Sequence, residues 1–260
     1  MTESVAGSKT SYTARASATG LDEMPPYTVK TGLVVAVDGP SGSGKSTAAR
    51  RAATELGLRY LDTGAMYRAL TWWLLDRQVD LSDTRAVLKR ITEPRIEVGT
   101  DPAAPRISVD GQDVSGPIRT REISNSVSAV AAIPQVRTLL IGMQRDIIST
   151  AAGDAGIVAE GRDIGTVVAP DAAVKVFLTA TEDARARRRS ADLAGDPKAT
   201  VDTTLREQAI RDRRDAAQMV KAADADEIDT SVLSLDEVVH RIVTMGQVAG
   251  LLPRGPRSHD

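Results

Sequence analysis

Nine consecutive residues hold the most chemistry in this sequence: Gly39-Pro40-Ser41-Gly42-Ser43-Gly44-Lys45-Ser46-Thr47, which satisfy G-x-x-x-x-G-K-[ST]. Glycines let successive backbone N–H groups turn inward around a polyphosphate, and a helix opening at the end of the loop aims its positive terminus at the same anion. Lys45 is spaced to reach the β and γ phosphates. The Ser46 hydroxyl is spaced to join the shell of a Mg2+ ion that otherwise keeps water and phosphate oxygens. The complete pattern, set between a buried strand and a helix, reads as a nucleotide cradle. It leaves the acceptor open, because many unrelated chemistries share it.

Composition narrows the rest. The chain has 260 residues, no cysteine, two histidines and 33 Lys+Arg against 35 Asp+Glu, a net charge of −2. Without thiolates there is no disulfide framework, cysteine zinc cage, iron–sulfur cluster or cysteine nucleophile. His240 and His259 are too few for a histidine metal site and a poor basis for a Ser-His-Asp triad. With 3% aromatic residues and nearly balanced charge, neither a stacking platform nor a broad basic surface is present, so no nucleic-acid partner is expected. No apolar stretch approaches the roughly 18–20 residues a membrane span needs. The expectation is a cytoplasmic protein, monomeric by default.

The elements that must position the loop begin at Leu33. Leu33–Val37 is an apolar run suited to a strand buried on both faces, as are Ile157–Ala159 and Val174–Leu178, with Glu227–Asp229 weaker. Helical patterns between them predict an α/β fold with a parallel sheet. Thr181 before acidic residues, and Ser234 with Glu237 three positions on, mark helix starts; the second has capping-box spacing and predicts a helix from Leu235. Arg95–Val98 and Arg106–Val109 alternate in period two, and Asp110-Gly111 is a tight-turn pair. A small antiparallel sheet is therefore expected inside an insertion of about 63–130. Residues 1–30 lack periodicity and read as a disordered tail, 253–260 as a frayed end, and 31–252 as a single domain.

Two further segments, Leu61-Asp62-Thr63-Gly64-Ala65-Met66-Tyr67-Arg68 and Ala159-Glu160-Gly161-Arg162-Asp163-Ile164-Gly165-Thr166, join the phosphate loop. With Asp110–Ser115, Ile118-Arg119-Thr120 and Pro170-Asp171-Ala172, they closely resemble bacterial cytidylate kinases over about residues 33–245. The resemblance implies transfer of the ATP γ-phosphoryl group to CMP or dCMP with Mg2+. It also implies a P-loop core (31–62, 131–180 and 206–252) of three layers, an inserted monophosphate-binding subdomain and a short arginine-rich lid at about 181–205.

Site residues follow from that likeness where positions match. Gly39–Thr47 (Gly39, Pro40, Ser41, Gly42, Ser43, Gly44, Lys45, Ser46 and Thr47) and Arg185 would bind ATP, with Ser46 toward the metal. Lys45, Asp163, Arg188 and Arg189 would be catalytic. Thr63, Tyr67, Arg68, Ser128, Arg137, Arg162, Asp163, Arg211 and Asp215 would bind the monophosphate, Ser128 and Arg137 at the cytosine edge. Thr63 replaces a common serine and keeps the hydroxyl. The pattern R-D-x-x-D-x-x-R breaks at Gln218, where an arginine would fall: either the loop is a shortened variant or Arg214 takes the role.

These residue types suit phosphoryl transfer, whose loose transition state spreads negative charge and rewards clamping by planar, permanently charged guanidinium groups. Arg185, Arg188 and Arg189 are spaced to share a helix face. Read alone, the run would be a solvated face; after a phosphate loop in a chain of net charge −2, an anion clamp is the better reading. Trp72 and Trp73 read as core, His240 as a helix residue. Two alternatives stay open: another small P-loop kinase, acting on UMP, AMP or shikimate, and a non-catalytic nucleotide switch.

Overall fold

In the computed structural model, residues 12–13, 32–192, 200–216 and 218–251 are described. The expected tails therefore lie outside the description, except Tyr12–Thr13 (β1). These two residues pair antiparallel with Ile96–Val98 (β4), whose edge offers unpaired backbone groups to any extended segment nearby.

Five strands form a parallel sheet in the order β3-β7-β2-β8-β9: Arg59–Asp62 (β3), Ile157–Gly161 (β7), Val34–Asp38 (β2), Val174–Thr179 (β8) and Asp226–Asp229 (β9). Successive side chains of β2 point to opposite faces. Val34 and Ala36 join a core with Leu61, Met66, Leu70, Leu140 and Ile148, while Val35 and Val37 join one with Ala49, Ala53, Val239 and Ile242. The first core is supplied by helices Thr63–Asp76 (α2) and Pro134–Ala152 (α5), the second by Lys45–Leu56 (α1) and Leu235–Leu251 (α8). That gives three layers. β3 is an addition to the sequence reading; its run Tyr60-Leu61 between charged residues is too short to stand out.

Between β3 and β7 the chain leaves this sheet. It forms Thr84–Leu88 (α3), then β4, Ile107–Val109 (β5) and Gln112–Asp113 (β6) as an antiparallel sheet, and Arg121–Ala131 (α4). Asp110 at φ 52° and Gly111 at φ 82° make the hairpin turn that their residue types favour. Trp73 lies in this core, 3% exposed, and donates its indole N–H to Asp110 at 2.7 Å. Pro134 at the start of α5 has no N–H to continue α4, which explains the break there.

After β8 come Glu182–Asp192 (α6) and Val201–Asp215 (α7). Thr200 caps α7 at Thr203 N, and no glycine or proline interrupts it, so the boundary expected at 205 falls inside one helix. The capping box before α8 forms: Ser234 N donates to Glu237 Oε2 at 2.8 Å, and Glu237 N to Ser234 Oγ at 3.3 Å. Among the described residues, no single helix is long and apolar enough to cross a membrane.

Candidate active site

Three strands carry acids at or next to their carboxyl ends, at the same edge of the sheet: Asp38 on β2, Asp62 on β3 and Glu160 on β7. The carboxyl edge of a parallel sheet is where such folds bind ligands. Asp62 and Glu160 are register partners. Burial, then the neighbouring Asp62, pushes the Glu160 carboxyl up, while Lys45 and a bond from Ser46 oppose this. Asp38 accepts from the N–H groups of Ile164 and Gly165, each at 2.8 Å, and burial nevertheless raises it to about 6.

Above this edge lies a cleft of about 410 Å³. Of the expected phosphate-loop residues, Ser41, Gly42, Gly44, Lys45, Ser46 and Thr47 line it. Gly39, Pro40 and Ser43 are not among its lining residues. Gly42 has φ 78°, and a Cβ there would stand 2.7 Å from the Arg185 carbonyl, so glycine is required. Lys45 donates to the Pro40 carbonyl at 3.0 Å, and its ammonium is brought down to about 8, first by burial and then by Arg162.

The expected monophosphate residues Thr63, Tyr67, Arg68, Ser128, Arg137, Arg162, Asp163, Arg211 and Asp215 line the same cleft, together with Arg189. Arg137 donates to Asp163 in a short, direct ion pair. Arg162 reaches the Gly39 carbonyl at 3.1 Å and Asp215 at 3.0 Å, joining the loop to α7. Burial, then Arg162, lowers Arg211 to about 10. Burial raises the Tyr67 phenol to about 12, so it stays protonated at neutral pH. Thr63 donates to the Glu160 carbonyl at 2.8 Å. Ser128 Oγ is buried and has no partner among the described residues.

The three arginines expected in a lid diverge. Arg185 is 6% exposed and gives one guanidinium nitrogen to Asp212 at 2.7 Å and to the Ser41 carbonyl at 3.2 Å. Arg188 binds Thr230, at 2.9 Å to the hydroxyl and 2.6 Å to the carbonyl, and does not line the cleft. Arg189 donates to Ser124 on α4 at 2.7 Å. Positions three and four apart still span an arc of about 100°, and α6 is flanked by α7 and the loop, by Thr230 just after β9, and by α4, so each arginine meets a different neighbour. Arg214 is exposed and outside the cleft, whereas Gln218 lines it and donates to the Ala131 carbonyl at 3.4 Å.

Asp62, Glu160 and Arg119 also line the cleft and were not among the expected site residues. Glu160 follows directly on the apolar run Ile157–Ala159, a signal present in sequence, whereas Asp62 closes β3, whose run is too short to stand out. Counting Lys45 with Arg68, Arg119, Arg137, Arg162, Arg189 and Arg211, seven cations face four carboxylates, Asp62, Glu160, Asp163 and Asp215. Such an excess suits polyanionic ligands.

A family model described as cytidylate kinase matches residues 35–247, which takes in the cleft, α6, α7 and both sheets apart from β1 and Val34. The chain belongs to the cytidylate kinase family. A cytidylate kinase of Streptomyces griseus is 50% identical over 219 residues, covering 84% of this chain and 94% of its own. One from Corynebacterium diphtheriae is 46% identical, covering 82% and 94%. A bifunctional pantoate ligase/cytidylate kinase of Synechococcus elongatus is 42% identical over 86% of this chain but only 44% of its own length. Among solved structures, a shikimate kinase from Acinetobacter baumannii in complex with shikimate aligns at TM-score 0.44 with 14% identity, over 85% of this chain and 97% of that one.

Proposed function

We propose that this member of the cytidylate kinase family transfers the γ-phosphoryl group of ATP to CMP or dCMP, giving ADP and the diphosphate. One observation carries the reading. A single cleft holds the phosphate loop at one wall and, at the other, the unpartnered Ser128 hydroxyl beside Arg137, Asp163 and Asp215.

The roles follow from charge and geometry. Inward-facing loop N–H groups and the start of α1 hold the donor phosphates. The attacking acceptor phosphate oxygen is already ionised at neutral pH, so the protein needs to orient and clamp more than to remove a proton. Arg68, Arg162 and Arg211 are assigned to the acceptor phosphate and the migrating group. Ser128 and Arg137 are assigned to the cytosine edge, and Asp215 to the sugar. Lys45, on exchanging the Pro40 carbonyl for phosphate oxygens, neutralises charge that develops on the transferred group. Arg189 approaches from the lid.

Ser46 together with Asp62 and Glu160 fits Mg2+: a hydroxyl and two buried-edge carboxylates face the loop, matching an ion that keeps phosphate oxygens and water. That ion would offset phosphate charge. Arg185 and Arg188 support the site through the Ser41 carbonyl and Thr230. Closure of α6 and α7 over both ligands would exclude water and suppress hydrolysis. The reading includes a monomeric, cytoplasmic enzyme with no nucleic-acid partner.

The test is an ADP-release assay with CMP, dCMP, UMP, AMP and shikimate. Preference for the cytidine pair is expected; a clear preference elsewhere, or no turnover with any acceptor, overturns the assignment. Compaction in X-ray scattering on adding both nucleotides is the expected sign of closure.

A further inference from the structure

Glu207 on α7 does not line the cleft, yet one of its carboxylate oxygens accepts from three donors on α4. Arg121 Nε lies at 2.8 Å, Arg121 Nη2 at 2.5 Å and Asn125 Nδ2 at 3.2 Å. The Arg121 and Glu207 side chains are 24% and 23% exposed, which screens this pair less than an open surface bridge. Close by, Arg189 of α6 donates to Ser124, and Gln218 beyond α7 donates to the Ala131 carbonyl.

Residues 121, 124, 125 and 128 are spaced by three and four and share one face of α4. The lid contacts occupy the first half of this face, and Ser128 with its unpartnered hydroxyl occupies the second. α4 also packs on α2, which carries Tyr67 and Arg68. One rigid helix thus touches both the acceptor side of the cleft and the lid.

We propose that Glu207 is a positioning residue: its bond to Arg121 latches α7, and with it the Arg189 guanidinium of α6, onto α4, so that lid closure is coupled to a seated acceptor. The proposal rests on the phosphoryl-transfer reading. Glu207 touches neither ligand and acts by fixing the distance between two arms of the site. Loss of the latch leaves the binding groups in place but the closed state less populated. Acceptor KM then rises, and water competes better for the γ-phosphoryl group.

Because the chain has no native cysteine, two introduced cysteines can be spin-labelled selectively. The exposed positions Gln112 on β6 and Arg213 on α7 report the gap between the arms. In Q112C/R213C protein with CMP and ADP, a short, narrow distance distribution is expected. Adding E207A or E207Q should lengthen and broaden it, raise KM for CMP about tenfold with a smaller change in kcat, and raise ATP hydrolysis relative to transfer. The swapped pair R121E/E207R should restore all three toward the parent. Unchanged distances and KM in both Glu207 variants, or failure of the swap to restore a loss, overturns the latch. Transfer to CMP by the parent would still stand. Conversely, absence of that transfer alongside an intact distance response would remove the functional reading and leave the latch.

Discussion

Arg137 and Asp163 meet across the floor of the cleft: a guanidinium from the first turn of α5 donates to the carboxylate that follows β7. Burial works against the arginine's charge, but Asp163 more than offsets it and raises Arg137 above its ordinary value. The charge is therefore fixed in both place and direction. A fork held this way can distinguish the acceptor edge of one pyrimidine from that of another, since a misplaced donor or acceptor is left unpaired. Arg137→Ala should lower kcat/KM for CMP by roughly 10- to 100-fold and narrow the preference for CMP over UMP. Arg137→Lys should not restore the preference, because the planar fork is lost. An equal loss with every acceptor would refute the role.

Lys45 supplies a prediction in pH. Its ammonium sits near a pKa of about 8 because it is buried beside Arg162, and phosphate oxygens would favour the charged form. Nucleotide binding should therefore take up protons above pH 8, and affinity should fall as pH rises beyond it. Calorimetry at pH 8.5 in buffers of different ionisation enthalpy measures the uptake directly. Lys45→Met should abolish both the uptake and the transfer.

Asp38 predicts a pH dependence of stability, in the same direction but at lower pH. Its folded value of about 6 lies above the ordinary carboxyl value of 3.8, so folding favours the protonated acid. The resulting stabilisation is whole below about pH 3.8 and is lost as pH climbs through about 6; for such a shift it amounts to up to about 3 kcal/mol. Urea midpoints of the parent minus those of Asp38→Asn, followed from pH 4 to 7, should drift in that direction. A flat difference would mean that the carboxyl ionises freely in the fold.

Arg185 was expected to contact the donor, and its geometry gives it a structural task as well. The pair with Asp212 has side chains 7% and 19% exposed. Removing one partner from such a buried pair costs about 3 kcal/mol, or roughly 6–12 °C in Tm. Arg185→Met should show that loss. Adding Asp212→Leu should recover much of the stability while leaving ATP affinity weakened, because the bond to the Ser41 carbonyl stays broken. Thermal melts and ATP titration of the parent and the two variants separate the two contributions.

The local sequence determined the phosphate loop, the buried strands and the two helix starts, because each depends on neighbours in the chain: glycine conformations, an unbroken apolar run, a serine three residues before a glutamate. The motif Gly161-Arg162-Asp163 and the arginine run of α6 were legible as anion-binding chemistry for the same reason. What the arginines do was decided only by the tertiary structure. Arg185, Arg188 and Arg189 lie within five residues yet end on Asp212, Thr230 and Ser124, because three different elements surround one helix. Asp62 and Glu160 are far apart in sequence and become partners only through sheet register. Gln218 is placed in the cleft and Arg214 outside it by the end of α7. Long-range juxtaposition sets burial and local charge, and those in turn shift the acids and bases of the site.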